Sequence, residues 1–205
     1  MPLKFAVMVS GGGTDLQSIL DSPAKQNMLC VISSKEGAYA LERARRADVP
    51  AVVIQKKDFA SQEAFDEAIL NTLRQYDADF VVLAGYLHIL GEKLVQTYEN
   101  RIINIHPSLI PSFCGMGYYG LKVHEGVLDY GCKVTGATVH FVDAGADTGP
   151  IIWQEPVRVH ADDTPQSLQQ RVLETEHVIL PRIVGLMMDG KIKVCGRKVI
   201  IEGEE

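Results

Sequence analysis

Short apolar runs alternate with amphipathic stretches through the first hundred residues of this chain. Four runs have the length and composition of buried strands, at residues 5–9, 29–32, 51–54 and 80–84. Three stretches between them carry apolar side chains at helical spacing, at residues 15–20, 37–47 and 61–76. Because parallel strands need crossovers of this length, the alternation predicts an open, twisted, mostly parallel α/β sheet flanked by helices.

The pattern changes after about residue 100. It predicts a fifth strand at residues 101–106, a short helix at 121–130, and two long strands at 133–142 and 151–159. Only a Gly- and Asp-rich turn separates the two long strands, so they must be antiparallel. The sheet is therefore expected to contain antiparallel strands in its C-terminal half.

The last part of the chain predicts a long helix and a small hairpin. The helix spans residues 165–188, with Thr164 as its N-cap and Pro165 at the first helical position. Pro181 lies inside this stretch and is expected to end the helix early or kink it. Two short strands at 191–194 and 198–201 form the predicted hairpin.

Composition limits the classes of protein to consider. A chain of 205 residues that is 46% hydrophobic can bury one core, and a single domain over residues 1–205 is expected. A formal charge of -6, with no long Lys and Arg run beyond residues 191–198, argues against a nucleic-acid partner. No apolar run approaches the roughly 20 residues that span a bilayer. Four widely spaced cysteines indicate reduced thiols, so a cytoplasmic protein is expected.

A glycine-rich segment, Ser10-Gly11-Gly12-Gly13-Thr14-Asp15, follows the first strand and opens the first helix. Such a loop lets the backbone approach an anion near free helical N–H groups. The segment lacks the GxGxxG spacing and the P-loop Lys, so a single phosphomonoester suits it better than a dinucleotide or a nucleoside triphosphate. A tight strand-to-helix turn without a ligand is the equal alternative.

Asn104 and His106 lie two residues apart at the end of the fifth strand, before Pro107. Their side chains therefore project to one face, where open α/β sheets bind ligands. Asp147 is expected in a loop at the same end of the sheet. An amide, an imidazole and a carboxylate can stabilise an oxyanion and move a proton, and the carboxylate would raise the pKa of His106 and keep it charged. Taken singly, each residue could instead satisfy a turn, a backbone group or a cap.

Other polar positions carry weaker signals. His140, on the strand before the Asp147 loop, is interpreted as a second site histidine rather than a core histidine. His88 follows the fourth strand and is a ligand contact or a surface residue with equal weight. Residues 115–120, rich in glycine and tyrosine, form a lid or a plain connection. No His, Cys or Asp cluster has metal-ligand spacing.

Seven motifs along the chain carry a family resemblance: SGGGTDLQ, LERAR, VVLAGYLHIL, NIHPSLIPSF, TGATVHFV, DTGPII and ETEH. With them the chain resembles the folate-dependent phosphoribosylglycinamide (GAR) formyltransferases, enzymes of one-carbon metabolism and purine biosynthesis. The resemblance implies a Rossmann-like formyltransferase fold. Relatives that share NxHPSLxP and DxGPI usually carry an extra domain, for which this chain has no room.

The resemblance implies roles for the catalytic residues. The amine of GAR would attack the formyl carbon of 10-formyltetrahydrofolate, the co-substrate, and no metal is implied. Asn104 and protonated His106 would stabilise the oxyanion, while Asp147 would raise the pKa of His106 and assist proton transfer through water. The small-molecule substrates would be the only ligands of a monomer or homodimer.

The resemblance also divides the binding residues between two halves of the chain. Residues 1–100 would form the phosphate-binding half and residues 101–205 the catalytic and folate-binding half. The GAR phosphate would bind backbone N–H groups of Gly12, Gly13, Thr14 and Asp15, with Glu176 on the ribose or glycinamide. Folate would contact a set of mostly loop residues: Gln62, Leu87, His88, Ile89, Leu90, His140, Asp143, Ala144, Gly145 and Ala146.

Two departures from the family pattern affect the folate site. The family often has Arg at the positions of His88 and Gln62, so a weaker attraction for an anionic glutamate tail is expected. Three different functions also fit the same motifs. A formyltetrahydrofolate hydrolase would use the same three catalytic residues with water in place of the amine. A formyltransferase could act on a sugar-nucleotide amine, and a non-catalytic folate or phosphate binder could keep the fold with an altered pocket.

Overall fold

The computed structural model describes residues 1–203 and contains, within them, a seven-stranded sheet in the order β3-β2-β1-β4-β5-β6-β7. Strands β1 to β5 are parallel to one another, whereas β6 runs antiparallel to both β5 and β7. This confirms the predicted fold class. The strands are β1 (Phe5–Val9), β2 (Met28–Ser33), β3 (Ala51–Val53), β4 (Phe80–Leu83), β5 (Ile102–His106), β6 (Val134–Phe141) and β7 (Ile151–Arg158).

Six α-helices in the described residues connect or follow the strands. Five of them match predicted helical stretches to within a few residues, but the short helix α4 was not predicted. A separate hairpin, β8 (Ile192–Cys195) and β9 (Lys198–Ile201), follows the last helix as expected. The helices are α1 (Thr14–Leu20), α2 (Tyr39–Arg46), α3 (Gln62–Gln75), α4 (Glu92–Thr97), α5 (Leu121–Asp129) and α6 (Pro165–Met188).

The helices form a layer on each face of the sheet. Helices α1, α2, α5 and α6 contribute to one apolar core, and α3 and α4 contribute to the other. The buried residues that the strands contribute to the second core come from β1, β2, β4 and the start of β5, and none comes from β6 or β7 in the described chain. On that face, the carboxyl end of β5 and the adjacent part of β6 are therefore left free of helices. The site lies over this helix-free part of the sheet.

Helix α6 departs from the sequence-based expectation at one point. Its start is as predicted, because Thr164 and Ser167 form reciprocal side-chain to backbone bonds and Pro165 is the first helical residue. The predicted span of residues 165–188 is confirmed, but of the two effects expected of Pro181, an early end is wrong, since the helix continues through it to Met188. Buried apolar side chains lie on both sides of Pro181, including Leu180 and Ile183. Their burial outweighs the roughly 3 kcal/mol that an interior proline costs.

Candidate active site

The loops after β1 and β4 meet where the strand order changes direction, which is where open α/β sheets bind ligands. Ser10 ties these loops together. Its hydroxyl accepts a bond from the N–H of Leu87 at 2.9 Å and shares another with the Ser34 hydroxyl at 2.7 Å. Its own N–H donates to the carbonyl of Gly85 at 3.1 Å. The sequence therefore builds one rigid rim from three strand ends.

A cleft of about 500 Å³ opens beside this rim, a size that suits a small organic ligand. Its floor comes from β5 and β6, one wall from the loop after β4, and the other wall from residues 115–120 and the loop before β7. Gln62 and Ala144, two of the predicted folate contacts, are not among its lining residues. The lining includes these predicted site residues: Leu87, His88, Ile89, Leu90, Asn104, His106, His140, Asp143, Gly145, Ala146 and Asp147.

Asn104 and His140 oppose one another on the floor, as direct partners in the antiparallel pairing of β5 and β6. The Nδ2 of Asn104 lies 3.1 Å from the Nε2 of His140. The Nδ1 of His140 lies 2.8 Å from the carbonyl oxygen of Phe141. Because a carbonyl only accepts, the Nδ1 of His140 donates to it, and in the neutral ring the Nε2 then accepts from the Asn104 amide. The amide orientation is therefore fixed.

His106 occupies the next position on the same face and is 5% exposed. Its Nε2 lies 2.9 Å from the carbonyl oxygen of Phe113, to which it must donate. In the neutral ring the other nitrogen, Nδ1, then carries no hydrogen. Nδ1 points at Asp147, whose Oδ2 lies 3.6 Å away.

The Asp147 carboxylate lies between the two imidazoles. Its Oδ1 is 3.6 Å from the Nε2 of His140, and its Oδ2 accepts a bond from the N–H of Gly115 at 2.9 Å. Asp147 has φ of 58°, a left-handed conformation that aims the side chain back at the floor. Burial alone would raise the pKa of Asp147, but the two imidazoles, each of which attracts the carboxylate when it is protonated, and the Gly115 N–H together hold it below its ordinary value.

The charge state of His106 differs from the expectation. Burial lowers the pKa of His106 below its ordinary value, and the bond to Phe113 and the charge of Asp147 offset this only in part. The raised pKa expected from the carboxylate alone is wrong for the free protein. Desolvation is the larger effect because the ring is almost fully enclosed.

The glycine-rich loop is held by helix α2. A side chain at Gly13, which has φ of 69°, would meet the Cβ of Ala40 at 2.6 Å, so α2 packs directly against the loop. The Nε of Arg43 donates to the carbonyl of Gly12 at 2.8 Å, and its Nη1 donates to Gln17. These contacts turn carbonyls of the loop towards α2.

Two carboxyl groups lie together behind this loop. Glu176 is 6% exposed, and the side chain of Asp15 is 14% exposed with an Oδ1 that has no hydrogen-bond partner. Burial raises the pKa of Asp15 to about 6, and burial together with Asp15 raises that of Glu176 well above its ordinary value. The Nε2 of His177 lies 3.6 Å from the Asp15 Oδ1. Glu176 thus lies beside Asp15 at the loop, with His177 as a neighbour that the sequence did not assign.

Gln62 supports the rim from outside the cleft. Its Nε2 donates to the Oδ1 of Asp66 at 2.9 Å and to the carbonyl of Ile89 at 3.3 Å. Asp66 is 3% exposed and packs so closely against Gly91 that a side chain there would lie 1.9 Å from its Oδ2. Gln62 therefore braces the segment that forms one wall.

Sequence reasoning missed the backbone groups of Phe113 and Gly115, because no side-chain pattern signals a backbone contact. It also assigned no role to His124, a buried histidine of α5. Burial, with the nearby His106, lowers the pKa of His124 to about 4. Within residues 1–203 no group of three or more His, Cys, Asp or Glu side chains could hold a metal ion, and no helix there could cross a membrane.

The fold and the polar floor define an α/β protein that holds a small ligand over a proton-transfer site. The sequence profile of the formyl transferase family matches residues 3–184. The chain belongs to this family, within its phosphoribosylglycinamide formyltransferase branch.

Three comparisons carry the assignment. Phosphoribosylglycinamide formyltransferase, chloroplastic, of Arabidopsis thaliana is 40% identical over 195 residues, which are 93% of this chain and 67% of the relative. Phosphoribosylglycinamide formyltransferase of Haemophilus influenzae is 36% identical over 207 residues, covering 98% and 94%. The crystal structure of glycinamide ribonucleotide transformylase 1 from Symbiobacterium toebii superposes with a TM-score of 0.91 at 42% identity, covering 98% and 94%.

Some relatives are longer. The chain spans 19% of the trifunctional purine biosynthetic protein adenosine-3 of Gallus gallus, to which it is 39% identical over 196 residues. It also covers 66% of a formyltetrahydrofolate deformylase from Pseudomonas syringae, with a TM-score of 0.87 and 26% identity. The fold alone therefore does not separate transfer of a formyl group from its hydrolysis.

Proposed function

We propose that this chain transfers a formyl group from 10-formyltetrahydrofolate to the amine of phosphoribosylglycinamide, a step of purine biosynthesis. The names of relatives that match it over nearly their whole length support the reaction. The observation that carries the proposal is that Asn104, His106 and Asp147 meet at one end of the cleft: Asp147 lies 3.6 Å from the imidazoles of both His106 and His140, and His140 in turn contacts Asn104 at 3.1 Å.

Asn104 would stabilise the oxyanion. One amide hydrogen of Asn104 is committed to the Nε2 of His140, which leaves the second hydrogen for the formyl oxygen. Attack by the amine places a negative charge on that oxygen, and a pre-oriented donor needs no reorganisation to meet it. In this scheme His140 acts by orienting the amide, a role different from the folate contact expected from sequence.

His106 and Asp147 would move the proton. The amine loses a proton as its bond to the formyl carbon forms, and N10 of the folate must gain one as its own bond to that carbon breaks. The free Nδ1 of His106, uncharged in the resting protein, takes up the first proton, and the Asp147 carboxylate stabilises the resulting imidazolium. The imidazolium can then protonate N10, directly or through water.

The two substrates would approach from different halves of the chain. The phosphate of phosphoribosylglycinamide would bind the Gly12 to Asp15 backbone in the first half, with Glu176 on the ribose or glycinamide. The folate would lie in the cleft, against the 87–90 and 143–147 segments. Burial, together with Lys56 and Lys35, lowers the pKa of His88, so two cations near His88 are available to attract the anionic glutamate tail.

The decisive experiment measures tetrahydrofolate formation by the purified chain with 10-formyltetrahydrofolate, with and without phosphoribosylglycinamide. Formyl transfer requires product only when the amine substrate is present. An equal rate without it would identify a hydrolase, the alternative that the deformylase likeness favours. No turnover in either arm, with folate still bound, would identify a binding protein. The cytoplasmic location and the monomer or homodimer stay predictions.

A further inference from the structure

One backbone segment touches both members of the proton-transfer pair. The carbonyl of Phe113 accepts the Nε2 hydrogen of His106 at 2.9 Å. Two residues later, the N–H of Gly115 donates to the Oδ2 of Asp147 at 2.9 Å. The relative positions of the imidazole and the carboxylate therefore depend on where the backbone of residues 113–115 lies.

This backbone does not hold its position by its own conformational preference. Phe113 has φ of 49°, in the left-handed region that residues with a side chain rarely occupy. Gly115 follows with φ of 83°. Residues 113–115 belong to neither a helix nor a strand, so no regular ladder of backbone bonds fixes them. One turn bond, from the N–H of Tyr118 to the carbonyl of Gly115 at 3.1 Å, supports its end, and side-chain contacts must hold the rest of the segment.

Those contacts come from aromatic rings. The Phe113 ring packs edge-on against the Tyr118 ring, with centroids 5.9 Å apart, and against the Tyr130 ring at 6.1 Å. Edge-to-face packing at these distances is a favourable geometry for aromatic pairs. We call these three residues the aromatic clasp. Tyr118 lies in the glycine- and tyrosine-rich segment that forms one wall of the cleft.

The clasp rests on helix α5 at a glycine. A Cβ added at Gly126 would lie 3.0 Å from the Cε1 of Tyr118 and 3.2 Å from the Cδ1 of Phe113. Both distances are shorter than ordinary carbon contacts, so any side chain at this helical position would push the two rings outward. Gly126 thus sets how closely the clasp sits on the helix.

We propose that the aromatic clasp, seated on Gly126, is the positioning element that aligns His106 with Asp147. The inference rests on the proposed function, because it gives the clasp its effect through the roles of those two residues. Tyr118 connects the clasp to the cleft wall, so the same contacts couple the position of that wall to the alignment of His106 with Asp147.

The clasp should influence rate and proton affinity together. Displacing the Phe113 carbonyl weakens a bond that favours the charged imidazole, so the pKa of His106 falls further below its ordinary value. Displacing Gly115 removes a donor from Asp147. Misplacement of reacting groups by 1 Å can slow a reaction about 100-fold, so a displacement of a few tenths of an ångström should slow turnover about three- to tenfold.

The test is Gly126→Ala, with Gly185→Ala as the matched control. Both replace a helical glycine by the better helix former, but a Cβ at Gly185 in α6 meets no atom within 4 Å. Gly126→Ala should lower kcat about three- to tenfold and shift the acid limb of the pH–rate profile to lower pH, with a thermal midpoint close to that of the wild type. Gly185→Ala should leave kcat and the profile unchanged.

A second pair tests the rings directly. Tyr130→Leu should lower kcat and move the acid limb in the same direction, and Tyr130→Phe, which keeps the ring, should restore both. If Gly126→Ala matches Gly185→Ala, or if both Tyr130 variants match the wild type, the clasp does not position the pair. An inactive wild-type chain would instead refute the proposed function, so the two failures are distinguishable.

Discussion

Asp15→Asn should stabilise the protein, and more so as the pH rises. The Asp15 carboxyl is buried beside Glu176, and burial raises its pKa from 3.8 to about 6. In the unfolded chain the group ionises near its ordinary value, so between these values the unfolded state releases a proton that the folded state keeps. Relative to an ionised group, the protonated Asp15 carboxyl therefore stabilises the folded state fully only below about pH 4. This stabilisation is lost as the pH rises through about 6, where the folded state must also ionise the buried group.

The size of the effect follows from the shift. A difference of about two pKa units at about 1.4 kcal/mol each corresponds to a penalty of about 3 kcal/mol for the folded state at pH 8. At pH 5, where the folded group is still largely protonated, the same relation gives about 1.5 kcal/mol. Asn cannot ionise, so the substitution removes the penalty and also the repulsion on Glu176.

The assay is urea unfolding of both proteins at pH 5 and pH 8, with equal m-values required for the comparison. The gain in the free energy of unfolding should be about twice as large at pH 8. Asp58→Asn, the same charge change at an exposed residue, serves as the control and should show little gain at either pH. An Asp15→Asn gain that is independent of pH, or larger at pH 5, would show that burial does not oppose ionisation of this carboxyl.

At pH 8 the substitution should also lower the KM for phosphoribosylglycinamide, because a negative charge leaves the proposed phosphate loop.

Three further predictions concern the site and its supports. His106→Ala should lower kcat by about 100- to 10,000-fold in the formyl-transfer assay, the range of a general acid–base group, and a loss below tenfold would mean that its role is misassigned. Gln62→Ala frees the Ile89 carbonyl, so the KM for the folate should rise a few-fold in steady-state kinetics with kcat unchanged; a fall in kcat alone would contradict a bracing role. Gly149→Ala would place a Cβ 1.8 Å from the carbonyl oxygen of Phe141, and urea unfolding should show a loss of about 3 kcal/mol; a neutral effect would refute this close packing.

The parts of the fold that could be predicted are those whose burial leaves a local pattern. Strands β1, β2 and β4 are covered on both faces, so they stand out as continuous apolar runs. Helix α4 has only six residues, too few for helical periodicity to emerge. The full span of α6 could be predicted from its apolar spacing, but whether Pro181 would end the helix early depends on tertiary contacts of the following turns, which the sequence around a proline does not encode.

The candidate site also has features that the local sequence predicts and features that depend on the folded chain. That Asn104 and His106 share a face follows from strand alternation, whereas the pairing of Asn104 with His140 depends on a register between distant segments. The lowered pKa of His106 depends on how completely the ring is enclosed, a property of the folded chain. The contacts of Phe113 and Gly115 use backbone atoms that every residue has, so no residue type could mark them.

The direct opposition of Asn104 and His140 limits where this chain can change in length. Removing one residue from β6 ahead of His140 would turn the imidazole to the opposite side of the sheet and bring an apolar neighbour to the amide. The pairing of β6 with β7 already has a register shift between Val139 and His140. A further shift at that point would change the pairing of β6 with β5 and with β7. Insertions and deletions are therefore compatible with the chemistry only in connections that do not contact the site, and the spacing within β6 is as strictly constrained as the identity of the histidine itself.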